Sequence, residues 1–166
     1  MSVVVTDTSP INYLVQIGHV DLLARLFGTV IVPQAVLDEL LRPQAPAKVS
    51  QWASQLPDWV DVRHYDGSLP DYSLDHGETE AIALALQLQV RAVLMDERKG
   101  RRVATEHGLT AIGTLTLLEL GDARGLLEYE PVLEKLRVTN FHAGEKLLSA
   151  SLERVQAERA RKASEA

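Results

Sequence analysis

Two aspartates each follow a short apolar run. Asp7 comes after the run at 3–6, and Asp96 comes after the run at 92–95. Runs of this kind indicate buried strands, and open parallel sheets bind ligands at the carboxyl ends of their strands. If the two strands are neighbours, Asp7 and Asp96 point into one crevice.

Two glutamates on predicted helices are further candidates. Glu39 borders the apolar stripe of a helix that Pro33 opens, and Glu80 directly precedes an Ala-Ile pair early in another helix. Glu78 has a structural explanation, because Asp75 precedes it by three residues, the spacing of a capping box. We therefore assign the capping role to Glu78 and take Glu80 as the candidate acid for a metal site.

Four converging carboxylates repel one another unless a cation neutralises them. Oxygen-only ligands suit Mg²⁺ or Mn²⁺, and such ions support hydrolysis of phosphodiesters by in-line attack of water. Each acid also has a simpler explanation. Asp7 and Asp96 stand where helix caps occur, and Glu39 has the position of a solvated surface residue.

A basic segment, Arg98-Lys99-Gly100-Arg101-Arg102, follows Asp96 almost at once. Arginine binds phosphate with two parallel hydrogen bonds. Arg98 and Arg102 are therefore candidate contacts to a substrate phosphate, and solvated helix charges are the equal alternative.

Composition narrows the possible functions. The 166 residues suit one domain, and the chain has no cysteine, which excludes zinc–thiolate sites and thiol nucleophiles. The net charge of −6 argues against a protein that coats nucleic acid nonspecifically. We expect a cytoplasmic protein without membrane contact, because neither a signal peptide nor a membrane-spanning run is visible.

Strands alternate with helices along most of the chain, which predicts an α/β fold with a parallel sheet covered on both faces. The predicted strands are 3–5, 30–32, 60–63, 92–95 and 109–112, and the predicted helices include 11–17, 21–27, 48–56, 77–89, 98–107 and 115–120. From Glu153 onward the chain is charged, so it forms an exposed helix or a frayed tail.

Four segments in order resemble PIN-domain nucleases, in particular a VapC-like toxin subgroup with the pattern Gly-Glu-x-Glu-Ala-Ile-Ala. They are VTDTSP at 5–10, VPQAVLDE at 32–39, GETEAIALA at 77–85 and LMDER at 94–98. The resemblance covers about residues 1–137. It implies a three-layer fold with a five-stranded parallel sheet flanked by helices, and Mg²⁺- or Mn²⁺-dependent endoribonuclease activity.

The resemblance also assigns roles. It makes Asp7, Glu39, Glu80 and Asp96 the catalytic, metal-binding acids, with Ser9 supporting Asp7. Many such toxins have aspartate where this chain has Glu80, and Glu78 and Glu97 are extra acids that can replace a neighbour. The nuclease domain would span 1–140, and 141–166 would be a charged helix or tail in the same domain or against a partner.

The resemblance further implies the toxin of a toxin–antitoxin pair, a small antitoxin that covers the crevice, and a homodimer. One alternative is a catalytically weak PIN-like module that binds nucleic acid or acts as a scaffold. A phosphatase-like aspartate phosphotransfer enzyme is less favoured, because it needs a second acid where Ser9 stands. Nucleotide-binding folds are excluded by the absence of a glycine-rich phosphate loop.

Overall fold

The computed structural model describes residues 2–166, which divide into two compact units, Met1–Thr114 and Leu115–Ala166. The elements in chain order are β1 (Val3–Thr6), α1 (Thr8–Gln16), α2 (Leu22–Phe27), β2 (Thr29–Pro33), α3 (Gln34–Leu40), α4 (Ala47–Ser54), β3 (Val60–Arg63), α5 (His76–Gln87), β4 (Ala92–Leu94), α6 (Arg98–Glu106), β5 (Thr110–Ile112), α7 (Thr114–Ala123), α8 (Tyr129–Arg137) and α9 (Glu145–Glu165). The single nuclease domain expected over 1–140 stays a prediction.

The five strands form one parallel sheet in the order β3-β2-β1-β4-β5, which confirms the predicted α/β fold. The central strand β1 pairs Val5 with Ile31 on one side and with Val93 on the other. Its neighbours cover both edges, so Val4 and Val5 are fully buried. Continuous β-branched runs of this kind are what a sheet buried on both faces requires.

The order of the strands reverses beside β1. The chain runs from β1 outward to β2 and β3, and then returns to place β4 on the other side of β1. The backbone N–H of Asp7 donates to the carbonyl of Leu94 over 2.8 Å, so the chain leaving β1 meets the end of β4. A crevice at such a switch point is where doubly wound sheets bind ligands.

Helix α5 is buried around its whole circumference in its first part. Every residue from Gly77 to Ala85 is buried. A helix that is apolar on all sides belongs in a core, and α5 packs on the sheet through Ile82, Leu84 and Ala85. Both of its glutamates are therefore removed from water.

The unit Leu115–Ala166 is held together by polar contacts to α9. The Tyr129 hydroxyl and the Ser151 hydroxyl are 2.6 Å apart in the interior, and Ser151 donates to Glu119 over 2.7 Å. Arg159 binds both Asp122 and Glu130. The charged C-terminal segment is thus a helix, which was one of the two predicted outcomes. No helix among residues 2–166 is long and apolar enough to cross a membrane.

Replacing Arg159 by Gln should lower stability in a pH-dependent way. The hydrogen bonds from Arg159 hold the pKa values of Asp122 and Glu130 below their ordinary values of 3.8 and 4.5. Depressed carboxyl pKa values contribute stability above the ordinary values, and this is lost as pH falls through the folded values. We expect Arg159→Gln to cost about 0.5–1 kcal/mol at neutral pH, measured by urea unfolding.

Arg161→Gln is the matched control, because Arg161 pairs only with Glu158 and Glu165 on its own helix. The two variants should converge in stability well below pH 3.8. A deficit of Arg159→Gln that persisted in strong acid would contradict the electrostatic account.

Candidate active site

Asp7 lies at the end of β1, in the capping position of α1, and is only 4% exposed. Its carboxylate makes no capping hydrogen bond, so it is free for another task. Burial raises the pKa of Asp7 well above its ordinary value, opposed by a hydrogen bond from the backbone of Thr8. The negative charges of Asp75, Glu78 and Glu39 raise the pKa further.

Asp7 and Glu39 meet at Gly77. A Cβ built on Gly77 would lie 2.8 Å from Glu39 Oε1 and 3.3 Å from Asp7 Oδ1. The glycine therefore leaves a gap that both carboxylates border. The structure thus brings together the first two acids of the predicted set, one from the end of β1 and one from α3.

Thr8 supports Glu39, whereas the supporting role of Ser9 toward Asp7 stays a prediction. The Thr8 hydroxyl donates to Glu39 Oε2 in a short hydrogen bond. Helix α1 begins at Thr8, and Ser9 is half-buried inside its first turn. The available signal in the sequence was the position of Thr8 directly after Asp7. Adjacent side chains diverge by about 100° around a helix, so only one of Thr8 and Ser9 can face Glu39.

Glu78 forms the predicted capping box. Its backbone N–H donates to Asp75 Oδ1 over 2.8 Å, and the Asp75 N–H donates back to Glu78 Oε1 over 3.4 Å. Its other oxygen, Oε2, is buried and has no partner in the described chain. A Cβ on Gly100 would lie 2.8 Å from this oxygen. Burial, with Asp75 second, raises the pKa of Glu78 to about 7.

An unpaired buried carboxylate oxygen is costly and needs an explanation. The capping box uses only Oε1, so it does not supply one for Oε2. The charge of Glu78 also raises the pKa of Asp7. Glu78 is therefore a further candidate acid beside the predicted set.

Glu80 has a complete set of other partners. Its Oε1 accepts the Ala35 N–H over 2.9 Å, and its Oε2 accepts the Tyr65 N–H over 3.3 Å and lies 3.4 Å from His64 Nδ1. The side chain is 1% exposed. Glu80 thereby ties α5 to the start of α3 and to the segment after β3. Its metal-binding role stays a prediction, and no contact among the described residues supports it.

Asp96 is half-buried at the end of β4 and holds the start of α7. Its two oxygens accept from the Thr114 backbone N–H and hydroxyl, each over 2.7 Å. Burial raises the pKa of Asp96, while these hydrogen bonds and the charge of Arg101 lower it. Exposed Glu97 raises the pKa values of both Glu78 and Asp96, so it lies between them.

The basic segment comes close to Asp96 at Arg101, which is not one of the two candidates predicted from the sequence. Arg98 and Arg102 are exposed on α6, and no ion pair to either is found within residues 2–166. Arg101, in contrast, lies beside Asp96. A Cβ on Gly113 would be 3.1 Å from Arg101 Nη1 and 3.2 Å from Asp96 Oδ1.

A family model described as a PIN domain matches residues 3–157. The chain belongs to the PIN-domain family. PIN domains are typically nucleases and generally use divalent metal ions. No curated protein matches this PIN domain at a significant level.

A solved structure is similar to this PIN domain. It is a PilT N-terminus domain protein from the hyperthermophilic archaeon Sulfolobus solfataricus P2. The identity is 14%, and the alignment covers 87% of this chain and 100% of the other, with a TM-score of 0.47.

The donors of this PIN domain fit a hard divalent cation. Asp7, Glu39 and Glu78 offer oxygen only, as Mg²⁺ and Mn²⁺ prefer. Glu78 Oε2 lacks a partner, and the gap at Gly77 is bordered by two carboxylate oxygens. Within 2–166 no three acidic or histidine side chains meet ion-binding geometry. The fit is therefore one of donor type and placement.

Replacing Gly77 by Ala tests the gap. In a helix, Gly→Ala ordinarily stabilises by about 0.5–1 kcal/mol. Here the added Cβ would collide with Glu39 Oε1, so we expect Gly77→Ala to be less stable than wild type. In a Glu39→Ala background most of this penalty should disappear, and a double-mutant cycle by chemical unfolding measures the coupling.

Gly144→Ala is the control, since a Cβ there meets nothing within 4 Å. Additive effects of Gly77→Ala and Glu39→Ala would show that the two residues do not share the gap.

Replacing Glu80 by Ala should destabilise the fold. The change leaves two backbone N–H groups without their acceptor, and an unsatisfied buried donor costs about 1–3 kcal/mol. Chemical unfolding compares Glu80→Ala with Glu106→Ala, whose glutamate is exposed on α6. Equal stability of these two variants would refute the tie to α3.

Proposed function

We propose that this PIN domain is a metal-dependent endoribonuclease that hydrolyses RNA phosphodiester bonds. The observation that carries the proposal is the meeting of Asp7 and Glu39 at Gly77. Glu78, the next residue of α5, adds a buried carboxylate oxygen without a partner. Two buried carboxyls, Asp7 and Glu78, beside the half-buried Glu39 make a poor structural core, because one oxygen of Glu78 has no hydrogen-bond donor. They make a suitable site for a cation and for a phosphodiester that the cation attracts.

In this proposal Asp7, Glu39 and Glu78 hold Mg²⁺ or Mn²⁺. Asp96 borders the site while Thr114 orients its carboxylate, and Glu80 lies outside it. A divalent cation bound there supplies charge neutralisation and Lewis acidity toward a phosphoryl oxygen. Thr8 fixes the orientation of Glu39 through its hydroxyl, a supporting role that commonly matters 10- to 100-fold for metal affinity, as an order of magnitude.

Burial and neighbouring charge favour the protonated forms of Asp7 and Glu78. A cation at these oxygens competes with protonation, so we expect loading of the site to release protons. We expect cation binding to be weaker at acidic pH for this reason.

A biological role as the toxin of a toxin–antitoxin pair extends the proposal. Its support is the resemblance of the four motifs to VapC-like toxins, which also suggests a small antitoxin, a homodimer and a cytoplasmic location. Growth arrest on expression of the wild type, relieved by the Asp7→Asn variant or by a small protein from an adjacent gene, would support this role. Unaffected growth would oppose it.

A catalytically weak module that binds nucleic acid is the second candidate. Two observations favour it: no three acids meet ion-binding geometry within residues 2–166, and both oxygens of Asp96 are engaged by Thr114. Such a module should bind RNA without cutting it, with or without a divalent cation.

The decisive experiment compares Asp7→Asn, Glu78→Gln and Glu80→Gln with wild type. A mixed pool of structured RNAs is incubated with Mg²⁺, with Mn²⁺ and with chelator, after thermal unfolding has verified that each variant is folded. We expect cleavage by wild type only with metal, loss of cleavage in the Asp7 and Glu78 variants, and retained cleavage in Glu80→Gln wherever it is folded. Glu106→Gln controls for removal of an exposed acid.

Three other results have definite meanings. Loss of cleavage in folded Glu80→Gln but not in Glu78→Gln would return the third acid to Glu80. Cleavage that persisted in Asp7→Asn would refute the site. RNA binding without cleavage by metal-loaded wild type would favour the second candidate.

A further inference from the structure

We propose that Arg101 binds the phosphate backbone of RNA at the edge of the carboxylate site, in the space that Gly113 leaves open beside Asp96. The inference rests on the proposed function, because it names the group that holds the substrate of that site. It also moves the substrate contact away from Arg98 and Arg102, which the sequence pattern favoured.

Gly113 leaves open space between the Arg101 guanidinium and Asp96. Gly113 precedes α7, and its absent Cβ would stand 3.1 Å from Arg101 Nη1 and 3.2 Å from Asp96 Oδ1. Any side chain at this position would fill the space in which the cation approaches the acid. The charge of Arg101 lowers the pKa of Asp96, so its field reaches the site.

The Arg101 guanidinium is available to a ligand. Of the described residues, none forms an ion pair with it within 4.0 Å, whereas Arg63, Arg154 and Arg159 are each paired. No ion pair within 4.0 Å joins it to Asp96, whose carboxylate oxygens accept from Thr114. An exposed guanidinium held near an acid but not bonded to it keeps its whole donor fork for an incoming anion.

The backbone of Arg101 is fixed while its head group is exposed. Its N–H donates to the Glu97 carbonyl over 2.9 Å, and its carbonyl accepts the Thr105 hydroxyl over 2.8 Å. Among its basic neighbours, Lys99 is engaged, since its Nζ donates to the Ser73 carbonyl over 2.6 Å. Arg98 and Arg102 are exposed on α6 as well, and within residues 2–166 neither is found in an ion pair.

Phosphate is the anion that this arrangement suits. The chain carries a net charge of −6, and the acids of the site repel a polyanion wherever a cation does not mask them. A guanidinium at the edge of the cluster offers two parallel hydrogen bonds to a phosphate and offsets that repulsion locally. In this proposal, the backbone of RNA bound to Arg101 runs past Asp96 toward Asp7 and Glu39.

The test measures RNA binding separately from cleavage. A fluorescein-labelled single-stranded RNA is titrated with wild type, Arg101→Gln, Arg101→Lys, Arg102→Gln and Arg91→Gln in chelator, over a series of salt concentrations. Arg91 is exposed at the start of β4, far along the strand from Asp96, so its loss is a matched change of charge. Thermal unfolding verifies the fold of each variant.

We expect Arg101→Gln to weaken binding roughly 10- to 100-fold, the range for a charge-assisted contact. The slope of log affinity against log salt should fall by about 0.7. The RNA affinity of Arg101→Lys should lie between those of wild type and Arg101→Gln, because the positive charge remains and the two-pronged donor group of arginine is lost. Gly113→Ala should weaken binding with every charge retained, which distinguishes substrate contact from a general charge effect. Arg91→Gln should bind as wild type does.

Unchanged affinity in Arg101→Gln, or a larger loss in Arg102→Gln than in Arg101→Gln, would overturn the inference. A role of Arg101 confined to stabilising Asp96 would change the unfolding temperature and leave the salt slope unchanged, which also overturns it. If wild type neither binds nor cleaves RNA, this inference and the proposed function fall together. If wild type cleaves RNA and Arg101→Gln binds RNA as well as wild type does, only the inference about Arg101 is refuted. If RNA binding depends on Arg101 but wild type does not cleave, only the nuclease proposal is refuted.

Discussion

The burial of like-charged carboxyls where β1 meets β4 is the constraint on which the site depends. The sheet reverses its order at β1, so the ends of these two strands lie side by side. Acids placed there are removed from water and repel each other, and both effects disfavour their charged forms. The surroundings relieve this in different ways. Thr114 gives two donors to Asp96, Thr8 gives one to Glu39, and one oxygen of Glu78 is left without a donor.

Close approach of these acids requires the absence of side chains around them. Gly77 faces Asp7 and Glu39, Gly100 faces Glu78, and Gly113 faces Asp96. Each glycine lies at or near the start of a helix, where the chain turns over the end of the sheet. The spacing of the carboxyls is therefore set as much by missing Cβ atoms as by the acids themselves.

Most of the fold was predictable, because local patterns determine it. Short β-branched runs gave the five strands, and alternation with helices gave the parallel sheet. The capping box at Asp75 and Glu78 followed from spacing alone and is present. Helix α8 was missed although Tyr129, Val132, Leu133 and Leu136 have helical spacing and are buried.

The choice between the two glutamates of α5 was beyond the sequence. Residues two apart on a helix lie on nearly opposite sides of it, so the two glutamates have different surroundings. Tertiary contacts such as those of Glu80 to Ala35 and Tyr65 determine the rotation of α5 about its axis. The pattern of one helix does not contain that information, and the same holds for Thr8 against Ser9 and for Arg101 against Arg98 and Arg102.

The different partners of Glu78 and Glu80 have a consequence for how this domain can evolve. Glu80 serves the fold, since its oxygens satisfy backbone donors. Glu78 caps α5 through Oε1 and carries an unsatisfied oxygen, Oε2. Under the proposed function, Gln at position 78 would keep an acceptor for the cap and remove the charge. A lineage could then acquire a stable but silent copy in one conservative step.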